Sequence, residues 1–325
     1  MKILVSGAGG FVGQFVVDRL LQRGHSVRAI IRPHSPLPEW NRDVEIFRAD
    51  LAHDDLVHAF NGIDAAIHLA VARTESGEAQ VKETILATER FLSAMARSPV
   101  KRLVQVSSLL VYDWSRADDM LDENSPLLQE PCNRGPYTIA KVEQERTAKR
   151  FAESNGWKLT VLRPGFIWGP GHAEIAGMGR RFGPIFFMFG PQTHLPLCHV
   201  MNCADCIAHA LESEAAINDN FNIIDFEVRV SDYVSEYVMR TGRPWIPMPI
   251  PYSLGLAISR MASFAARGWN ARLPSLLIPS RFEARFKPLR FTSQKLRERL
   301  RWAPLLSLDA CFDATYGSKV ETPNL

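Results

Sequence analysis

The chain has 325 residues, 46% of them hydrophobic and 22% charged, with a formal net charge of +3. That length exceeds one average domain, and the composition excludes a disordered chain and supplies enough apolar residues for a sizeable core. Basic residues are spread rather than clustered, which argues against nucleic-acid binding, and five cysteines, an odd number, suit a reducing compartment.

Met1-Lys2 leads directly into a short apolar run, Lys2–Ser6, with no signal-like apolar stretch ahead of it, so a cytoplasmic protein is expected. Glycines follow, then a helical pattern over residues 11–23 with Gly24 at the C-cap. Further strands are predicted at 26–31, 44–47, 65–69, 103–107 and 158–162, and helices at 81–96 and 137–154. Strands alternating with helices imply βαβ units and a parallel, doubly wound α/β sheet, with ligands bound outside the carboxyl ends of its strands. Beyond about Gly165 the pattern loosens. Prolines and glycines punctuate 164–196 and 244–251, which read as loops and short helices, whereas 202–212 and 221–224 read as a helix and strand returning to the main sheet. The apolar region 249–266 is broken by Pro251 and Arg260 and is too short to span a membrane. Arg260 and Arg267 are placed to face headgroups, but membrane-surface association is not expected. Cys203 and Cys206 have C-x-x-C spacing near His199 and His209. With no second such pair, free thiols on a helix are expected, and no metal.

The segment Gly7-Ala8-Gly9-Gly10-Phe11-Val12-Gly13 lies between the first strand and the first helix. Gly7 permits a tight turn, Gly10 lets the backbone approach a pyrophosphate, and Gly13 lets helix and strand pack closely. The helix start then offers free N–H groups and a partial positive charge to the phosphates. The alternative, a purely structural turn, leaves the strand-turn-helix context unexplained. At the end of the second strand no acid is available for a ribose hydroxyl. Arg32 stands there instead, which favours NADP, with NAD still possible.

Tyr137-Thr138-Ile139-Ala140-Lys141 places a phenol and an ammonium four residues apart on one helix face. A nearby ammonium lowers a phenol pKa that is ordinarily ~10, suiting proton transfer near neutral pH. Ser108 ends a predicted strand about thirty residues upstream and is expected in the same cleft. Plainer roles exist for each: a helix cap, an edge aromatic, a solvated charge. Their joint occurrence downstream of the glycine turn favours catalysis.

These segments resemble the extended short-chain dehydrogenase/reductases, the NAD-dependent epimerase/dehydratase family. The resemblance runs through GAGGFVG, Asp50-Leu51, His68-Leu69-Ala70, the run from Ser107 to Tyr112, YTIAK, the run from Arg163 to Pro170, His199 to Asn202, and Asn222 to Ile224. It implies a Rossmann domain over 1–166, joined by 198–224, and a smaller mixed α/β substrate domain over 167–197 and 225–325. It further implies that Ser108 polarises the substrate oxygen, Tyr137 transfers a proton, and Lys141 binds the nicotinamide ribose. Gly7, Gly10, Phe11, Val12 and Gly13 would hold the pyrophosphate, Asp50 and Leu51 the adenine, Leu69 and Ala70 the phosphate and ribose, and Pro164 and Gly165 the nicotinamide. A homodimer is also suggested. Thr84 stands where many members have asparagine. Phe166 and Trp168 replace residues of the nucleotide-sugar signature.

The branch resembled most is that of 3β-hydroxysteroid dehydrogenases and dihydroflavonol reductases. An alcohol/ketone oxidoreductase acting on a small molecule is therefore expected, with the apolar stretch 245–266 lining its pocket. The alternative is a nucleotide-sugar epimerase or dehydratase with tightly held NAD, in which Arg180 and Arg181 would clamp a diphosphate. Leu109 and Leu110, where a dehydratase carries an acid, count against that branch, and the intact Ser-Tyr-Lys set counts against a non-enzymatic relative.

Overall fold

The structure, a computed structural model, describes residues 1–40, 43–74, 76–243, 245–269 and 273–317. Its first half runs β1 (Lys2–Ser6), α1 (Phe11–Gln22), β2 (Ser26–Ile31), β3 (Glu45–Arg48), β4 (Ala65–His68), α2 (Gly77–Ala96), β5 (Arg102–Val106), β6 (Met120–Leu121), α3 (Pro136–Asn155) and β7 (Lys158–Pro164). Then follow β8 (Phe166–Trp168), β9 (Arg180–Phe182), β10 (Ile185–Phe189), β11 (His194–His199), α4 (Val200–Glu212), β12 (Asp219–Ile223), β13 (Phe226–Arg229) and α5 (Val230–Thr241). The chain ends with β14 (Ile246–Ile250), α6 (Tyr252–Trp269), α7 (Pro279–Phe286), β15 (Arg290–Phe291), α8 (Gln294–Leu300) and α9 (Leu308–Tyr316).

Seven strands form one sheet in the order β12-β7-β5-β4-β1-β2-β3, and every neighbouring pair is parallel. This is the doubly wound α/β fold expected. Its inner strands are apolar on both faces because helices cover both. Val16, Val17 and Leu20 of α1 join Ile207 and Leu211 of α4 over one face, while Phe91, Leu92 and Met95 of α2 join Ala148 and Ala152 of α3 over the other. Strand order reverses between β1 and β4, so the crevice at their carboxyl ends is the place where such sheets receive ligands.

The segment 164–196, expected as loops and short helices, instead holds strands. β13-β11-β8 and β14-β10-β9 form two small sheets beside the main one. β14 contains Pro247 and Pro249, which disguise it in the sequence; among the described residues it is an edge strand paired only with β10, so the missing N–H groups interrupt no ladder. Pro244 lies outside the described residues. Behind these sheets Trp168, Tyr233, Tyr237 and Phe312 build a separate aromatic core. α6 packs on α7 and turns Leu254, Met261 and Phe264 outward, the last 79% exposed. The side chain of Arg267 lies outside the described residues. Among the described residues, no helix is long and apolar enough to cross a membrane.

Candidate active site

The glycine turn brings three backbones together. Gly7 sits at φ +74°, and a Cβ there would lie 2.8 Å from the Ala70 nitrogen, so the end of β1 nearly touches the Leu69-Ala70 segment after β4. A Cβ on Gly13 would lie 2.1 Å from the Gly7 carbonyl oxygen, which explains why only glycine fits there. α1 starts without a side-chain cap and without an acid in its first turn. Among the described residues, the backbone N–H groups of Phe11 and Val12 have no acceptor and face outward for an anion.

Arg32 stands exposed just past β2, and its guanidinium makes no hydrogen bond among the described residues. Arg48 organises this corner, donating from Nη1 to the carbonyls of Arg32 (2.9 Å) and Ser35 (2.7 Å). Sequence reasoning missed Arg48, whose only signal is its place at the end of β3. Asp50 turns the chain back, accepting from the Ala52 N–H at 2.8 Å. Burial pushes its carboxyl up, but that bond, His53 and the Arg32 charge together hold it below its ordinary value.

Ser108 follows β5 and caps a short 3-10 turn, its Oγ accepting from the Leu110 N–H at 3.2 Å. The capping role anticipated as an alternative is thus real. It also leaves the hydroxyl proton free to donate. Tyr137 sits in the first turn of α3, lines the same cleft as Ser108, and keeps 39% of its surface open. Burial of its hydroxyl end raises its pKa, and the Ser108 hydroxyl opposes that rise. The expected lowering by Lys141 is not what the site shows. The Lys141 ammonium is buried and donates to the Val106 carbonyl and Gln144 Oε1, both at 2.8 Å, with no bond to Tyr137 among the described residues. Burial, opposed by Glu145, pushes the lysine down to about 7.

Behind Lys141 runs a polar network that the sequence reading did not find. Gln144 Nε2 donates to the Ala70 carbonyl and Thr88 Oγ1, each at 2.9 Å, and lies 3.1 Å from His68 Nε2. Ser6 Oγ lies 2.6 Å from His68 Nδ1. Burial and the Lys141 charge push His68 down to about 3, so it is neutral and stacks on Phe91. Thr84, in the place of the family's asparagine, accepts from the Ala72 N–H at 3.1 Å and fixes the loop after β4. On the other side of α3, Glu145 pairs with Arg163 at 2.6 Å and accepts from Ser107 Oγ at 2.7 Å. Burial raises the carboxyl, but Arg163 outweighs it and holds Glu145 well below the usual carboxylate range.

The cleft beside Ser108 and Tyr137 has a volume of about 280 Å³. Its walls are largely apolar, from Leu109, Leu110, Trp114, Ile167, Ile175 and Pro196, with Pro164 and Gly165 also in the lining and His172 and Glu174 as polar members. None of residues 245–266 is among its lining, contrary to expectation: Trp245 is stacked on Phe186 in the aromatic core, and α6 lies outside. The loop after β8 reaches back over the glycine turn, where His172 stacks on Phe11 with ring centroids 3.8 Å apart. Cys203 and Cys206 are buried in the core with Cys198, and burial raises the thiols of Cys198 and Cys206. Among the described residues, no group of three His, Cys, Asp or Glu side chains is placed to hold a metal.

The sequence profile described as "NAD dependent epimerase/dehydratase family" matches residues 3–223. The chain belongs to this family. Within the family it is similar to cinnamoyl-CoA reductase 1 of Petunia hybrida, 31% identical over 182 residues that make up 52% of this chain and 55% of that protein. It is also similar to the 3 beta-hydroxysteroid dehydrogenase/Delta 5→4-isomerase of Mycobacterium tuberculosis, 32% identical over 180 residues, 52% of this chain and 48% of that protein. The chain spans about half the length of the curated relatives it matches. Solved structures of similar fold include gox2253, with TM-score 0.78 and 22% identity over 96% of each chain. Another is the UDP-glucose 4-epimerase of Thermotoga maritima, with TM-score 0.72 and 20% identity over 97% of each chain. The named reductases and dehydrogenases agree with the branch that the sequence resembles.

Proposed function

We propose that this chain is an NAD(P)-dependent oxidoreductase that interconverts an apolar ketone and its alcohol, with NADP as the preferred dinucleotide. One observation carries the reading: a largely apolar cleft ends on Ser108 and Tyr137, the two hydroxyls suited to hold and protonate a carbonyl oxygen. In this reading residues 1–166 with 198–224 hold the dinucleotide, and 167–197 with 225–325 shape the substrate side.

The residues present fit a dinucleotide. The free N–H groups of Phe11 and Val12 and the close approach at Gly7 and Gly13 make a cradle for a pyrophosphate. Asp50 and Leu51 would meet the adenine, Leu69 and Ala70 the central phosphate and ribose, and Pro164 and Gly165 the nicotinamide. The exposed guanidinium of Arg32 would take a 2′-phosphate, and no acid stands at the end of β2. A bound nicotinamide supplies or accepts hydride at its C4.

The chain's own groups do the rest. Ser108 accepts from the Leu110 N–H and so points its proton outward, toward a substrate oxygen, where it stabilises developing negative charge. Tyr137 delivers the proton to that oxygen in reduction and removes it in oxidation. Its raised pKa makes it a proton donor at neutral pH. Lys141 is held between Val106 and Gln144, within one helical turn of Tyr137, to engage the nicotinamide ribose. The apolar walls exclude water from the oxygen. A dehydratase finds no support in Leu109 and Leu110, which line the cleft where it would carry an acid.

Tyr137→Phe tests the reading. The variant should bind NADPH as the wild type does, by fluorescence titration, and lose about 10²–10⁴-fold in turnover of apolar ketones, the scale of a lost general acid. Near-wild-type turnover would sink the assignment. Tightly bound NAD(H) released on denaturing the purified protein would favour the epimerase reading instead.

A further inference from the structure

We infer that Gln144 is a positioning residue for the proposed reaction: its side-chain amide fixes the place of the Lys141 ammonium and ties it to the segment after β4 that closes against the glycine turn. The inference rests on the reading of Lys141 as the residue that engages the nicotinamide ribose. It adds what holds that lysine in place and favours its charged form.

α3 carries Gln144, Ala148 and Ala152 at successive turns, all buried. The two alanines pack with Phe91, Leu92 and Met95 of α2, and Gln144 reaches Thr88 of the same helix. An apolar side chain would fill the first position of this stripe as well. A buried amide there is costly unless each of its polar atoms has a partner.

The hydrogen bonds leave one orientation for that amide. Nε2 has two protons, and two acceptors stand at 2.9 Å, the Ala70 carbonyl and Thr88 Oγ1. Thr88 donates its own proton to the Thr84 carbonyl at 2.8 Å, so toward Gln144 it accepts. His68 Nε2 then donates to Thr88 Oγ1 at 3.1 Å, and its Nδ1 accepts from Ser6 Oγ at 2.6 Å. Gln144 Oε1 is thereby left facing Lys141 Nζ at 2.8 Å. Reversing the amide would set its donors against the ammonium and its oxygen against the Ala70 carbonyl.

Ala70 is held from its other side too. A Cβ on Gly7 would lie 2.8 Å from the Ala70 nitrogen, so this segment has no room to retreat toward β1. One amide and two hydrogen bonds therefore join the catalytic lysine to the backbone that meets the pyrophosphate cradle.

The charged groups around Lys141 do not hold it in this way. Glu145, the next residue of α3, favours the ammonium by its charge, but its carboxylate is bonded to Arg163 of β7, to Lys149 and to Ser107. His68 of β4 is neutral, and Tyr137, one turn back on α3, makes no bond to the lysine among the described residues. The Val106 carbonyl and Gln144 Oε1 are left to favour the ammonium directly, against burial that pushes the lysine down to about 7. Removing the Gln144 oxygen weakens that support, whereas a carboxylate in its place strengthens it.

The experiment is an NMR pH titration of the full chain labelled with ¹³Cε-lysine, the Lys141 signal being the one missing from Lys141→Met. Its midpoint in the wild type should lie at about 7. Gln144→Met should move the midpoint down by about one to two pH units, the scale of a lost hydrogen bond to a charged group. Gln144→Glu should move it up by about one unit or more. A merely structural glutamine would give no such opposed pair. An unmoved midpoint in Gln144→Met, or movement of both variants in one direction, would overturn the assignment. If Gln144→Met does not fold, Gln144→Glu decides alone, and a midpoint that fails to rise overturns it. The titration needs no turnover. Loss of the catalytic reading, shown by full ketone turnover in Lys141→Met, is therefore read separately.

Discussion

The Lys141 ammonium is enclosed by protein, and the two acceptors it holds, the Val106 carbonyl and Gln144 Oε1, are neutral. Burial takes its pKa down to about 7, against ~10.4 in an unfolded chain. Between those values the unfolded chain binds a proton that the folded chain has released. The lysine's contribution to stability is therefore least favourable below about pH 7 and improves as pH rises toward ~10. Lys141→Met removes this dependence. The melting temperature of the wild type, relative to the variant, should climb between about pH 7 and about pH 9; a constant difference would show that Lys141 does not titrate there. Arg32 gives a second test at this scale. Arg32→Gln should weaken NADPH binding by about tenfold or more and leave NADH binding unchanged, and equal loss for both would remove the 2′-phosphate role. Tyr137 and Lys141 are legible in the sequence because their spacing is local, one turn of one helix. Gln144, His68 and Thr88 are not, because the bonds from Gln144 to His68 and Thr88 cross 76 and 56 residues. The Phe11 and His172 stack has the same character: no local pattern announces it.

Among the elements, the β1-turn-α1 unit is the most exacting. Its glycines are readable from the sequence because each answers a specific steric demand, and the structure supplies the distances. Gly13→Ala would drive a methyl group into the Gly7 carbonyl, 2.1 Å away, and nothing flexible stands there to yield. α1 must then move off β1, and the N–H groups of Phe11 and Val12 leave the crevice. The variant should lose dinucleotide binding, by fluorescence titration, together with about 1–3 kcal/mol of stability, the range for overpacking. Full binding by Gly13→Ala would show that α1 can shift without disturbing the site. The small strands behave differently. β9 and β10 carry no clean alternation, and β14 carries two prolines, so pairing with distant neighbours, rather than propensity, makes them strands. Helix and strand limits in the first half differ from expectation mostly by one residue, with α2 starting at Gly77 because Ser76 caps it by accepting the Ala79 N–H.

In the whole molecule, the two faces of the main sheet are covered from different stretches of chain. α2 and α3 precede β7 and cover one face, whereas α4 arrives after β11 to cover the other beside α1. The order of elements in the main sheet is readable early because parallel strands need crossover helices. The small sheets are not, since they join 166–199 to 226–250 across α4. β12 has a further consequence, for synthesis. β7 is complete at Pro164, but the strand that seals its outer edge begins only at Asp219. While the intervening chain emerges from the ribosome, β7 shows an unpaired row of backbone donors and acceptors, and α1 lacks α4. A fragment ending at residue 166 should therefore aggregate when expressed alone, whereas one ending at 224 should sediment as a soluble species; a soluble, monomeric shorter fragment would refute this. The hazardous interval for this chain is translational, and slow codons or a trigger-type chaperone would matter most between those two strands.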